Sequence, residues 1–329
     1  MLKRLIFTII LLCFFSCGKT IDEKTASAVL SANIYLSKGN CQGAINVLEA
    51  NGRQDQNAHY LKTLASAYAC RAEFSTITFF ASDLALTTAP APLGGTSVYS
   101  TSLAAATSPM QADFNFRDLQ TAIDILLYAG GIPSTLEPTA HERSRYFSAD
   151  EASDINSQLL YMMLAQLGKY MHYYGNGSAA GLKGAGAAAN KCFTGYNLAN
   201  AGGIAAVQAL IAALPATCQS PLESSHSELS PVVAAATRKT RLCQGVVILN
   251  GIFNILPSFI GSASGTLATQ TTAITAAATA VTTALTTADP AVGVVSSTIN
   301  QSVCEDNANV PIAKLETYFA IMFENLFQP

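Results

Sequence analysis

The chain has 329 residues, of which 50% are hydrophobic, 8% aromatic and only 12% charged, with a formal charge of −3. Charged content is about half of the ~25% usual for soluble domains, and no basic patch is present, which excludes a nucleic-acid partner. The length allows two domains as a prior, and the mean hydropathy of +0.30 comes from Ala, small residues and Thr or Ser, not from an apolar span of about 20 residues.

The first sixteen residues read as a cleavable leader. Lys3 and Arg4 are a basic start, Leu5 to Phe15 an apolar stretch, Ser16 a small residue before Cys17, and Gly18 to Lys24 a polar tether. Loss of Lys3 and Arg4 with the leader takes the net charge from −3 to −5. Two other readings stay open, a secreted protein cut nearby and an uncleaved anchor.

Residues 25–88 carry the clearest helical pattern. The spacing predicts helices over Thr25–Lys38, Cys41–Ala50, Asn57–Arg71 and Ser75–Leu86, with Gly39-Asn40 and Asn51-Gly52 as stops. Residues 89–113, rich in Pro, Gly, Ser and Thr, read as a flexible loop that ends the N-terminal unit. Residues 114–329 form the second helical unit. It starts with Phe114–Tyr128 and continues with Ser148–Tyr174, whose Ser148 and Glu151 spell a capping box. Gly175–Gly186 lacks the strand and the Lys spacing of a phosphate cradle, so no cofactor is expected there. Further helices follow at Leu198–Leu214, Pro231–Pro257 with Gly245 as a break point, Ala263–Thr287 and Val310–Phe327. The expected fold is all-α: antiparallel helix pairs followed by a larger helical bundle or solenoid, stapled by disulfides.

Cys13 leaves with the leader and Cys17 closes it, so six cysteines remain. An even number in an exported chain points to three disulfides. Sequential pairing is expected: Cys41–Cys70, Cys192–Cys218 and Cys243–Cys304. Buried free thiols are the other reading; zinc is weaker, for no C-x-x-C occurs.

The run Phe14-Phe15-Ser16-Cys17 resembles the lipobox of bacterial lipoproteins processed by signal peptidase II, although Phe14 and Phe15 stand where the family has Leu and a small residue. The resemblance implies that Cys17 is acylated and that the protein sits on the membrane by its acyl chains. Gly18 in place of Asp then implies the outer membrane, facing the periplasm. Ala32 with Tyr35, Ala44 with Leu48, and Ala65 with Tyr68, 33 residues after Tyr35, resemble tetratricopeptide helix pairs. The Trp, Leu-Gly and closing Pro of that family are missing. Members often act as assembly or accessory subunits, so the resemblance implies envelope-protein partners, and the low charge suits extensive protein contact or self-association.

No catalytic constellation emerges, and no enzyme is expected. His59, His141, His172 and His226 lack metal-ligand partners at helical spacing, and Gly261-Ser262-Ala263-Ser264-Gly265 has Ala at the centre. The first expectation is a lipid-anchored, non-catalytic scaffold or accessory subunit of an envelope complex. The second is a small apolar ligand or lipid held between helices. Tyr35, Tyr68, Tyr173 and Tyr174 are the candidate binding residues.

Overall fold

The computed structural model describes residues 20–75, 112–175, 192–196, 226–258, 279, 282–283, 286–287 and 293–324. Among these there are ten α-helices and no strand. The leader, Cys17, the helices expected at Ser75–Leu86 and Leu198–Leu214, most of Ala263–Thr287, and Cys218 lie outside the described residues.

Helix α1 spans Ile21–Ser37, α2 Cys41–Ala50 and α3 Ala58–Arg71. Helix α1 starts four residues earlier than the sequence pattern predicts. The cause is a capping box: Thr20 Oγ1 accepts the Glu23 N–H, and a Glu23 carboxylate oxygen accepts the Thr20 N–H. Asn40 and Asn57 cap α2 and α3 in the same manner, each accepting the N–H three residues on. The three helices pack on one another through small side chains, with Ala32, Ala44 and Ala65 each fully buried. The Cys41–Cys70 disulfide, with Cα atoms 5.6 Å apart, joins the start of α2 to the end of α3. Of the residues that carry the tetratricopeptide resemblance, Ala32, Ala44, Leu48 and Ala65 are buried, Tyr35 is exposed and Tyr68 is half-buried.

Helix α4 (Phe114–Leu127) lies on α3 and on α6 (Ala149–Tyr174), with the single turn α5 (Ala140–Arg143) beside α6. Asp113 caps α4 and also receives the Lys169 Nζ at 3.0 Å, which ties α4 to α6 through a buried ion pair. Arg71 reaches Asp118 with both Nε and Nη2, a bidentate bridge from α3 to α4. Residues of the N-terminal helices and of α4, α6 and α7 belong to one contiguous hydrophobic core.

Helix α7 (Ala235–Ile255) runs unbroken through Gly245, where the sequence offered a break. The glycine serves close approach instead. A Cβ at Gly245 would stand 2.8 Å from the Tyr170 ring, and one at Gly251 would stand 2.6 Å from Met163 Cε. The two glycines let α7 settle onto α6. The chain closes with α8 (Gly293–Ser297), α9 (Gln301–Asp306) and α10 (Ile312–Tyr318), the last continuing through a π-helical turn, Phe319–Phe323. All three pack on α7. The Cys243–Cys304 disulfide, Cα atoms 5.9 Å apart, binds α9 to α7, and Cys192 is disulfide-bonded as well.

Candidate functional site

Short helices α8 and α9 bury too little apolar surface to hold themselves, so polar side chains position them. Asn250, buried on α7, donates through Nδ2 to the carbonyls of Val295 and Thr298, at 2.7 and 2.8 Å, and its Oδ1 accepts the Tyr318 hydroxyl. Asn300 caps α9, and its Nδ2 donates to the carbonyls of Ser134 and Leu136. The Glu137 carboxylate accepts the Thr298 hydroxyl and the Ile299 N–H. The loop after α4 and the segment entering α9 are thereby locked together.

This arrangement leaves a cleft of ≈ 370 Å³ between α4, α6, α7 and α9. Its apolar part comes from Phe116, Ile123 and Leu127 of α4, Met163 of α6, Val247 and Ile248 of α7, and Ile299. Its polar part comes from Gln120, Asp124 and Tyr128 on one side and from Gln244, Asn300, Gln301, Ser302 and Glu305 on the other. Gln244 and Glu305 each adjoin a cysteine of the Cys243–Cys304 disulfide, so that bond sets the spacing of this wall. An apolar cavity with a few convergent polar groups is the usual form of a small-molecule site.

The polar groups form two relays. Gln166 Nε2 donates to the Phe116 carbonyl and to Gln120 Oε1, and Gln120 Nε2 donates to Asp124 Oδ1 at 2.9 Å. Across the cleft, Gln301 Nε2 donates to the Thr240 carbonyl and to the Glu305 carboxylate. Asp124 reaches solvent at the mouth, yet the protein around it removes enough water to push its carboxyl up to about 6; the Gln120 hydrogen bond and the field of Arg53 oppose that rise. Tyr128 is pushed up to about 12, chiefly by burial, and stays a protonated phenol.

The tyrosines singled out from the sequence fall elsewhere. Tyr174 is fully buried, packed 4.7 Å from Tyr170 and 4.9 Å from Tyr173 between ring centroids, and its hydroxyl has no hydrogen-bond partner among the described residues. Tyr173 lies half-buried against His226, centroids 4.3 Å apart. Tyr68 donates its hydroxyl to Glu49 Oε1 and carries the Arg71 guanidinium over its ring; with Tyr60 and Arg53 it lines a smaller hollow of ≈ 250 Å³. Tyr35 sits on the outer face of α1. The structure brings Tyr173 and Tyr174 together, but none of the four lines the cleft. Gln120, Asp124, Gln244 and Glu305 were missed by sequence reasoning. The i, i+4 pairs Gln120 with Asp124 and Gln301 with Glu305 offered a signal.

A second hollow of ≈ 340 Å³ opens between α3 and α6. Its polar groups satisfy one another: Lys62 pairs with Asp154 at 2.7 Å, and Gln158 Nε2 donates to the Lys62 carbonyl and to Ser66 Oγ. Deeper in the molecule, Arg238 pairs with Glu316 at 2.7 Å and donates to Thr194 Oγ1 and the Leu229 carbonyl, while Glu324 accepts the Phe193 N–H and the Tyr196 hydroxyl. These buried ions hold residues 192–196 against α7 and α10. Among the described residues no group of three His, Cys, Asp or Glu side chains is placed to hold a metal, and no helix is long and apolar enough to cross a membrane. Comparison of the chain with protein-family models, curated proteins and solved structures finds no match.

Proposed function

We propose that the mature chain is a lipid-anchored, non-catalytic protein of the bacterial envelope that binds a small molecule in the cleft between α4, α6, α7 and α9. The observation that carries this reading is the cleft itself: an apolar floor of Met163, Ile123 and Ile248 under a rim of carboxylates and amides, held in shape by a disulfide. Disulfides at Cys41–Cys70 and Cys243–Cys304 suit an oxidising compartment. The lipobox-like Cys17 stands only three residues before the Thr20 cap, which would hold α1 close to the bilayer surface. Ser302, the serine of the rim, donates to Asn300 Oδ1.

The test is native mass spectrometry of the protein extracted from its own membrane in mild detergent. The reading predicts an acylated Cys17 and a non-covalent small-molecule adduct that disappears in Gln244→Phe, a change at a half-buried position that fills the cleft. An unacylated chain, or an adduct indifferent to that substitution, would remove it.

A second reading, an accessory subunit that docks on envelope proteins in tetratricopeptide fashion, is favoured by one feature. Helix α1 turns Leu30 (64% exposed), Ile34 (49%) and Tyr35 (38%) outward, away from the core. Stoichiometric envelope proteins in the same extraction, lost on Leu30→Ser with Ile34→Ser, would favour it.

A further inference from the structure

The chemistry of the cleft goes further than its shape: it selects a class of ligand, a selection that rests on the cleft being a binding site. Several hydrogen-bond donors on the rim are committed inside the protein, and among the described residues the Tyr128 hydroxyl and Gln244 Nε2 are lining donors that make no such bond. Gln120 Nε2 is taken by Asp124, both protons of Asn300 Nδ2 go to the carbonyls of Ser134 and Leu136, Gln301 Nε2 goes to Thr240 and Glu305, and Ser302 Oγ goes to Asn300. Acceptors are left over. Among the described residues, Asp124 and Glu305 are each bonded by a single side-chain amide, so each carboxylate keeps an oxygen for another donor. Gln244 Oε1 is closed off from solvent with no partner among the described residues. No described Lys, Arg or His lines the cleft. Arg53, whose field reaches Asp124, is itself paired with Asp55 at 2.5 Å.

Carboxylates at the mouth of an apolar cleft with no cation among its lining residues attract a cation. We infer that the cleft binds an organic cation: a primary or secondary ammonium carried on an apolar body, the ammonium between Asp124 and Glu305 and the body on Met163, Ile123 and Ile248. A carboxylate of the same size is excluded by the two acidic side chains, and a neutral alcohol leaves the charges uncompensated.

The experiment is calorimetric titration of the purified protein at pH 7.5 with three probes sharing one body: 2-phenylethylammonium, 2-phenylethanol and 3-phenylpropionate. The ammonium should bind about tenfold or more tighter than the alcohol, and the carboxylate should not bind detectably. Asp124→Asn should remove most of that preference and Glu305→Gln part of it, while Gln244→Phe should abolish binding with the fold intact by circular dichroism. Equal binding of ammonium and alcohol, or a preference for the carboxylate, overturns the cation assignment and leaves the cleft as an apolar site. Ammonium binding indifferent to both carboxylate variants overturns it by placing the cation elsewhere. No binding of any probe at millimolar concentration overturns the assignment and the cleft reading together.

Discussion

The stack of α1, α2 and α3 and the assembly of α7 to α10 solve the same problem differently. In the stack, each helix is capped by a neighbouring side chain and buries small residues against the next helix in sequence, while Arg71–Asp118 and Lys62–Asp154 tie α3 to α4 and α6. Its internal pair Arg53–Asp55 lies at the surface, and an exposed pair of that kind contributes little. The C-terminal assembly is held by side chains far apart in the chain. Asn300 reaches back 164 and 166 residues, Glu137 meets Ile299 across 162, and Glu324 meets Phe193 across 131. Local contacts make helices, and long-range polar ties place short helices around an open space. The cleft belongs to the second kind of construction.

The sharpest way to break this contrast is to remove Arg238. Its partner Glu316 is buried, and the Leu229 carbonyl and Thr194 hydroxyl lose a donor at the same time. Arg238→Ala should cost about 5 kcal/mol, the upper end for a broken buried pair, read from urea denaturation by circular dichroism. Replacing both partners, Arg238→Met with Glu316→Leu, should recover most of it; a double variant as unstable as the single would contradict the ion-pair account. Next come the disulfides. Cys243 and Cys304 are 61 residues apart and Cys41 and Cys70 are 29 apart. Serine pairs should therefore cost about 4 and about 3.5 kcal/mol in the chain-entropy model. Only the first pair should loosen the cleft, seen as loss of probe binding in calorimetry. Equal loss of binding from both would show that the two regions do not act separately.

Much of the first region was legible in the sequence. The Gly39-Asn40 and Asn51-Gly52 stops and the Cys41–Cys70 pairing all follow from neighbouring helices. The early start of α1 could have been read too, since Thr20 and Glu23 stand three apart ahead of an apolar run. Residues of the cleft were not legible for a physical reason. Asp124 and Glu305 are ordinary helix-surface carboxylates until folding sets α4 opposite α9, and only the tertiary structure shows where the Gln244 amide ends up. Tyr173 and Tyr174 drew notice as an aromatic cluster, and Tyr174 proves to be core packing against Tyr170.

Smaller effects sharpen the same contrast. Thr20→Ala and Ser148→Ala remove caps and should each cost about 1 kcal/mol by thermal denaturation, with no change in probe binding. Asp124 gives a pH signature. Its carboxyl is raised to about 6, above its unfolded value, so the folded state holds its proton more tightly. Its ionisation therefore opposes folding, and wild-type stability relative to Asp124→Asn should fall as pH rises from about 4 to about 6, then level off. Wild-type stability relative to Asp124→Asn that rises instead with pH over that range would show that Asp124 has a cationic partner within the protein.

The most direct test is hydrogen exchange by mass spectrometry on the protein as extracted from its membrane, against the same protein stripped of small molecules by hydrophobic beads. A ligand in the cleft predicts faster exchange after stripping in α4 from Gln120 to Tyr128, in α7 around Gln244 and in the segment from Ile299 to Glu305, with α2 unchanged. Exchange that changes only along α1, or in no segment at all, would contradict the cleft as the working site.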